Sequence, residues 1–128
     1  MTAIVVDIYC RTATDDLETP TKLEQQETAC RAYCEAHSLS VGMVHTEVAS
    51  GATYGREGLS LLRHRCRDQL IQGVVVVDLF RLSRSHLDCA NLIQEMRATD
   101  VTLYCVYNNT TTDRLVRAVL DFVEVERK

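Results

Sequence analysis

The chain has no CxxC pair among its six cysteines, no apolar run of membrane length, no excess of basic residues and no phosphate-binding glycine loop. Each absence closes a class of function. Cys10, Cys30, Cys34, Cys66, Cys89 and Cys105 lack the tight spacing of a disulfide framework and fall mostly on apolar faces, which predicts free buried thiols in a reducing cytosol. Cys30 and Cys34 share a helix face and His86 stands three residues before Cys89, but neither pair has two further ligands at metal spacing, so no metal is expected. No segment approaches the roughly 18 apolar residues of a membrane span, and Asp7 interrupts the first apolar stretch, which also lacks the basic start of a signal peptide. A cytoplasmic protein with no membrane partner is the expectation. With 18 acidic against 14 basic residues, a net charge of −4 and a pI near 5.5, the chain is a poor match for gripping a long polyphosphate unaided. Any nucleic-acid contact is local, or is completed by a segment outside this sequence.

The usual sites for anion chemistry are missing too. There is no GxxxxGK followed by a hydroxyl residue, and Gly51, Gly55 and Gly58 have the wrong spacing for a GxGxxG dinucleotide turn and read as a mobile loop. No cysteine has an arginine six residues after it, as a cysteine phosphatase requires. No cofactor is expected.

What is present is a regular alternation. At 128 residues and 46% hydrophobic, the chain fits one domain, residues 1–128. Ala3 to Tyr9, Val41 to Val48, Val74 to Phe80 and Val101 to Tyr107 are short and rich in β-branched and aromatic residues, and predict strands. Between them, Leu23, Gln26, Cys30, Tyr33 and His37 recur on one helical face after Pro20 and Thr21; Leu59, Leu62, Cys66 and Leu70 repeat the spacing until Gly73 stops it. Ser85-His86-Leu87-Asp88 reads as a capping box ahead of Cys89, Leu92, Ile93 and Met96. A last helix, opening near Thr112-Asp113, carries Val116, Val119, Leu120 and Val123 on one face and Leu115, Phe122 and Val125 elsewhere. That surplus suits a partner chain, and the absence of a stop signal at Glu126-Arg127-Lys128 predicts a helix that runs on. The fold class expected is α/β, a largely parallel four- to five-stranded sheet with helices on both faces, ending in the start of a long dimerisation helix.

The chemistry gathers on arginine. Arg81-Leu82-Ser83-Arg84 puts two guanidinium groups between a valine-rich strand and a helix start, where the helix dipole repels cations unless an anion is present. Arg11 follows the first strand, and Arg56 lies in the loop Ser50 to Arg56 after the second. Loops at the carboxyl ends of strands in open α/β sheets converge on a ligand crevice, so the four can meet on one phosphate. Taken singly, each is an ordinary solvated arginine.

The order of these segments resembles the serine recombinases of the resolvase/invertase type, and the likeness spans nearly the whole chain. Tyr9-Cys10-Arg11 looks like the opening tyrosine-x-arginine motif, and Leu23-Glu24-Gln25-Gln26 is similar to a leucine-to-glutamine stretch in the first helix. Ser50-Gly51 through Arg56 and Gly58-Leu59 resembles the serine-glycine loop, with Glu57 where proline is usual. Arg81-Leu82-Ser83-Arg84 matches the RLSR signature letter for letter, and Ala118 to Arg127, with Glu126-Arg127, resembles the start of the dimerising helix that leads to a DNA-binding region. The resemblance implies site-specific DNA recombination: a serine hydroxyl attacks a phosphodiester, forms a phosphoseryl link and releases a 3′ hydroxyl without metal or nucleotide. It implies that arginines stabilise the phosphoryl transition state, and that the partners are DNA and further copies, as a homodimer or tetramer.

The departures fall at the reacting centre. The nucleophilic serine aligns with Ala13, a nearby glutamine with Leu17, and the aspartate before RLSR with Phe80. Thr12 and Thr14 are each displaced by a residue, more than the angstrom or so that near-attack geometry tolerates. The leading expectation is a recombinase catalytic domain impaired by Ala13. The alternatives are a non-catalytic dimerisation or regulatory module of the same descent, and a receiver-like signalling domain, for which Asp15, Asp16 and Asp78 would supply acidic groups but the arginines would compete with Mg²⁺.

Overall fold

β-Branched runs separated by amphipathic helices give parallel pairing, because each strand must be re-entered from the same end after a helical crossover. A computed structural model of the chain describes residues 3–13, 16–49, 56–107 and the backbone of 110–111. Its elements run β1 (Val5–Thr12), α1 (Thr19–Ala36), β2 (Ser40–Val48), α2 (Glu57–Arg67), β3 (Gly73–Val76), a 3₁₀ turn (Leu79–Arg81), α3 (His86–Ala98), β4 (Thr102–Cys105) and β5 (Thr110–Thr111). Strand order is β2-β1-β3-β4-β5, with β1 to β4 parallel and β5 antiparallel to β4. The expected α/β sheet is present; the expected dimerisation helix lies outside the described residues.

Because β2 pairs to one side of β1 and β3 to the other, the winding reverses between β1 and β3. With crossovers of one hand, this sends α1 to one face and α2 and α3 to the other. Alternate residues obey that division. Val6, Ile8, Cys10, Val75 and Val77 pack with Cys30, Tyr33 and Cys34 of α1, whereas Tyr9, Val74 and Val76 pack with Leu59, Leu62, Cys66, Leu92, Ile93 and Met96 of α2 and α3. All six cysteines are free and buried in these two layers. Burial pushes the thiols of Cys66 and Cys105 up to about 12 and Cys89 to about 11, so they serve as small apolar groups.

Several boundaries differ from expectation. β1 begins at Val5 and continues to Thr12, so Arg11 is a strand residue and not part of the loop that follows; β4 is limited to Thr102–Cys105. The strand expected from Val74 to Phe80 ends at Val76, and the chain curls into the 3₁₀ turn instead. Gly73 does not stop α2. It opens β3, where an added Cβ would lie 2.8 Å from both Tyr104 and Val6 side chains, so close packing across the sheet selects it. The helix ends at Arg67, leaving Leu70 exposed beyond it.

The three helices share one ending. Ser38, Gln69 and Asp100 adopt left-handed φ near 60°, and in each case the next amide bonds back five residues: Leu39 N to Cys34 O at 2.8 Å, Leu70 N to Arg65 O at 3.0 Å, Val101 N to Met96 O at 2.8 Å. These are Schellman closures built without glycine, at positions where only glycine is free of Cβ strain. α3 starts as its sequence predicts, with Ser85 Oγ accepting from Asp88 N at 3.2 Å.

A carboxylate sits inside the α2 layer. Asp7 is fully buried and accepts from Arg65 (Nε 2.5 Å, Nη2 3.1 Å) and Met43 N (2.9 Å), with His45 Nε2 at 2.8 Å. The register explains the Met43 bond. Val6 faces Val41 and Ile8 faces Val44, so Asp7 stands opposite two residues, Gly42 and Met43, at a β-bulge whose amide it caps. Gly42 is required there, since a Cβ would fall 2.9 Å from Asp7 Oδ1 and 3.2 Å from Arg65 Nη2. Burial raises the Asp7 pKa, but the bonds from His45, Arg65 and Met43 outweigh it and hold the carboxyl at about 2 against an ordinary 3.8.

Two outcomes follow for stability. A depressed folded-state pKa stabilises above the unfolded value and is lost as pH falls, so about 2 kcal/mol should disappear between pH 4 and pH 2. In Asp7→Asn that increment is absent, and urea melts at pH 7 should show a loss of about 2 to 4 kcal/mol from the uncompensated Arg65. Gln69→Gly, at an exposed left-handed position, should raise stability by about 0.5 to 1 kcal/mol in the same melts.

Candidate active site

The crevice forms where β1 and β3 part company. Their pairing is confined to Val6–Ile8, so the Arg11 backbone, which points away from β2, has no strand opposite it. Side chains fill the gap. Gln26 of α1 accepts from Arg11 N at 3.1 Å and donates to Arg11 O at 3.0 Å, imitating a strand residue. Arg81 Nη1 donates to the same carbonyl at 3.1 Å. Gln26 was singled out in the sequence as a family position; the structure gives its work as the closure of an open strand edge.

Arg11 itself reaches across the crevice floor. Its Nε donates to Arg81 O (2.9 Å), Nη1 to Ala49 O (2.6 Å) and Nη2 to Phe80 O (2.7 Å). One guanidinium thus ties β1 to the end of β2 and to the 3₁₀ turn. This accounts for the early end of β3, because a turn and not a ladder presents the Phe80 and Arg81 carbonyls to it.

Arg56 enters from the other side, immediately before α2. Its side chain is almost wholly buried, with Nη2 donating to Leu82 O, the guanidinium carbon 5.8 Å from the Tyr9 ring centre, and Nε 3.7 Å from Glu47 Oε1. Nε and Nη1 make no hydrogen bond among the described residues. Glu47 was not identified from sequence, yet it organises this corner: Oε1 accepts from the Tyr9 hydroxyl and Oε2 accepts from Gly58 N at 2.7 Å, in the first turn of α2. Burial and the bond to Glu47 push the Tyr9 phenol far up, fixing it as a neutral donor. The signal available was the alternation of His45 and Glu47 in a strand that otherwise reads as apolar on that side.

In the RLSR stretch the residues divide their work. Leu82 and Ser83 are buried, Ser83 Oγ accepts from Ser85 N at 3.1 Å, Arg81 is half-buried with Nε 3.6 Å from Asp78 Oδ2, and Arg84 is exposed. Burial lowers the Arg11 pKa, and the charges of Arg56, Arg81 and Arg84 push it the same way, so all three lie within electrostatic reach of Arg11. Cations are held together here against their repulsion, an arrangement an anion would relieve.

Ala13 directly follows β1, partly buried, two residues beyond Arg11. Thr12 has the parity of Cys10 and faces the α1 layer, opposite to the Arg11 side. Leu17 is fully exposed and Phe80 half exposed, its ring edge-on to His86 at 6.0 Å. Ser50, Thr14, Asp15, Glu126 and Arg127 lie outside the described residues. Among the described residues no group of three or more histidines, cysteines or acidic residues could hold a metal ion.

A parallel α/β domain whose switch point carries an arginine-lined crevice is the class that fold and geometry define. The family model for the resolvase N-terminal domain matches residues 6–128. The chain belongs to the resolvase family, whose solved relatives are serine recombinase catalytic domains. It is similar to the N-terminal catalytic domain of TP901-1 integrase, at 23% identity over 96% of each chain and a TM-score of 0.84. A resolvase family site-specific recombinase from Streptococcus pneumoniae matches at 20% identity over 97% of this chain and 88% of its own, TM-score 0.83. The C-terminal catalytic domain of ISC1926 TnpA, an IS607-like serine recombinase, matches at 23% over 81% and 71%, TM-score 0.76. No curated protein sequence matches the chain. No helix among the described residues is long and apolar enough to cross a membrane.

The hydrogen-bond pattern separates two roles among the arginines. Arg11→Met should cost about 2 to 4 kcal/mol in urea melts, since three charged donors to carbonyls are lost. Arg84→Ala should change stability by less than about 0.5 kcal/mol while weakening sulfate binding by calorimetry.

Proposed function

We propose that this single domain is the catalytic scaffold of a site-specific DNA recombinase that grips a phosphodiester with Arg56, Arg81 and Arg84 but no longer attacks it. The observation that supports the reading is Ala13, which directly follows β1 two residues beyond Arg11, where the family resemblance implies a serine. It has no oxygen to form a phosphoryl ester. Two neighbouring hydroxyls among the described residues are poorly placed as substitutes: Thr12 faces the other side of the sheet, and Ser83 Oγ is buried and hydrogen-bonded to Ser85 N. By the family resemblance, Leu17 and Phe80 replace two further polar groups. Arg56 supports the reading as a buried cation whose Nε and Nη1 make no hydrogen bond among the described residues and whose charge is answered by Glu47 at 3.7 Å.

DNA is the substrate class in this reading, and the contact is confined to the crevice because the chain as a whole is acidic. Assembly as a dimer or tetramer through residues 112–128, a DNA-reading region downstream, and a cytoplasmic setting complete the proposal. No metal, nucleotide or other cofactor takes part. A second reading, a non-catalytic module that pairs with active recombinase subunits to regulate them, is favoured by the same Ala13.

The test is covalent trapping. With its native downstream sequence, the chain as written should form no protein–DNA adduct on a cognate crossover site, whereas Ala13→Ser combined with Leu17→Gln and Phe80→Asp should form one visible on a denaturing gel. An adduct from the unaltered chain overturns the proposal. Absence of any adduct in the restored protein favours the regulatory reading.

A further inference from the structure

The 3₁₀ turn at the crevice rim buries the wrong residue for a purely structural role. Leu79 packs against the α2/α3 core and Leu82 is fully buried, while Phe80 between them is 54% exposed. It is nonetheless held in place. The Phe80 carbonyl is bonded by Arg11 Nη2 at 2.7 Å, and the ring meets His86 edge-on, 6.0 Å between centres at 87°. An aromatic ring more than half exposed, on an anchored backbone and beside a second ring, is a surface on which another flat, apolar group can lie. Its neighbours say which kind. Arg81 and Arg84 follow within four residues, and among the described residues Arg81 Nε and the Nε and Nη1 of the nearly buried Arg56 make no hydrogen bond, each Nε having only a carboxylate at 3.6 to 3.7 Å.

We infer that Phe80, backed by His86, is a stacking platform for an unpaired nucleobase whose adjoining phosphate lies on Arg81, Arg84 and Arg56. The ligand class is single-stranded or locally melted DNA. Stacking on an aromatic ring requires the base to leave its duplex neighbours, and cationic groups beside that ring favour a strand that brings its own phosphate. An apolar protein partner would need a continuous apolar patch, and here the aromatic pair brackets two arginines. This inference rests on the phosphate-gripping reading above and adds to it what lies next to the phosphate. The exchange of a polar residue for Phe80 then does more than remove chemistry, because it supplies the platform.

Three ligands separate the terms: a labelled thymidine oligomer of about 20 nucleotides, an abasic oligomer of the same length, and a duplex. Fluorescence anisotropy at one fixed salt concentration should give tighter binding of the thymidine oligomer than of the other two. Phe80→Ala should weaken the thymidine oligomer about fivefold or more and the abasic oligomer less than twofold. Arg81→Ala should weaken both single strands alike. The chain has no tryptophan, so Phe80→Trp is a single reporter, and its fluorescence should fall on binding the thymidine oligomer but not the abasic one. Equal binding of parent and Phe80→Ala to the thymidine oligomer, or duplex bound as tightly as single strand, overturns the platform. If Arg81→Ala leaves abasic binding unchanged, the phosphate grip fails instead, and the Phe80→Trp signal reports separately whether stacking survives. Binding of none of the three ligands overturns both.

Discussion

The parting of β1 from β3 after Ile8 is the constraint on which the crevice depends. Pairing of β1 with β3 stops at Ile8, and the backbone groups left beyond it must still be bonded. Gln26, Arg11 and Arg81 meet that demand with side-chain donors and acceptors. The same bonds that complete the strand edge fix the turn carrying Arg81 and, through it, the start of α3. Structure and site are therefore not separable at this corner: removing the Arg11 guanidinium unties three elements at once.

The β-bulge at Gly42-Met43 has a comparable reach. One extra residue in β2 changes which side chains face α2, so that His45 joins Asp7 and Glu47 joins Tyr9 on the same side of the sheet. Along β1 the α2-facing side becomes a polar column of Asp7, Tyr9 and Arg11; Asp7 and Tyr9 are answered by residues of β2 and by arginines from α2 or its approach, Arg11 by the carbonyls of Ala49, Phe80 and Arg81. Burial of that many polar groups is costly unless each is paired, and nearly all are. Among the described residues the exceptions are donor atoms of Arg56 and Arg81 and one oxygen of Asp78.

Under the proposed function, a phosphodiester would meet the cations of Arg56, Arg81 and Arg84 but no attacking oxygen at Ala13. The two capacities are separable, because Arg56 and Arg81 are tied to the fold through the Leu82 and Arg11 carbonyls and not through the residue at position 13. In the same reading, an aromatic Phe80 at the turn would set what can lie beside the phosphate.

The sequence by itself determined the α/β class, the four parallel strands, the helix faces and the family, because β-branched runs, 3.6-residue periodicity, the Ser85 cap and the RLSR stretch are local patterns that survive any tertiary arrangement. Strand ends and the partners of Asp7 were not legible, since they depend on contacts between residues far apart in the chain, such as Arg11 with Arg81, 70 positions away, and Asp7 with Arg65, 58 positions away. Gly73 illustrates the difference: as a letter it reads as a helix stop, whereas in the sheet it is the residue that fits between Val6 and Tyr104. Tertiary structure alone decided which arginines are spent on carbonyls and which retain free donors, because that allocation follows from where two strands separate, and no spacing along the chain encodes it.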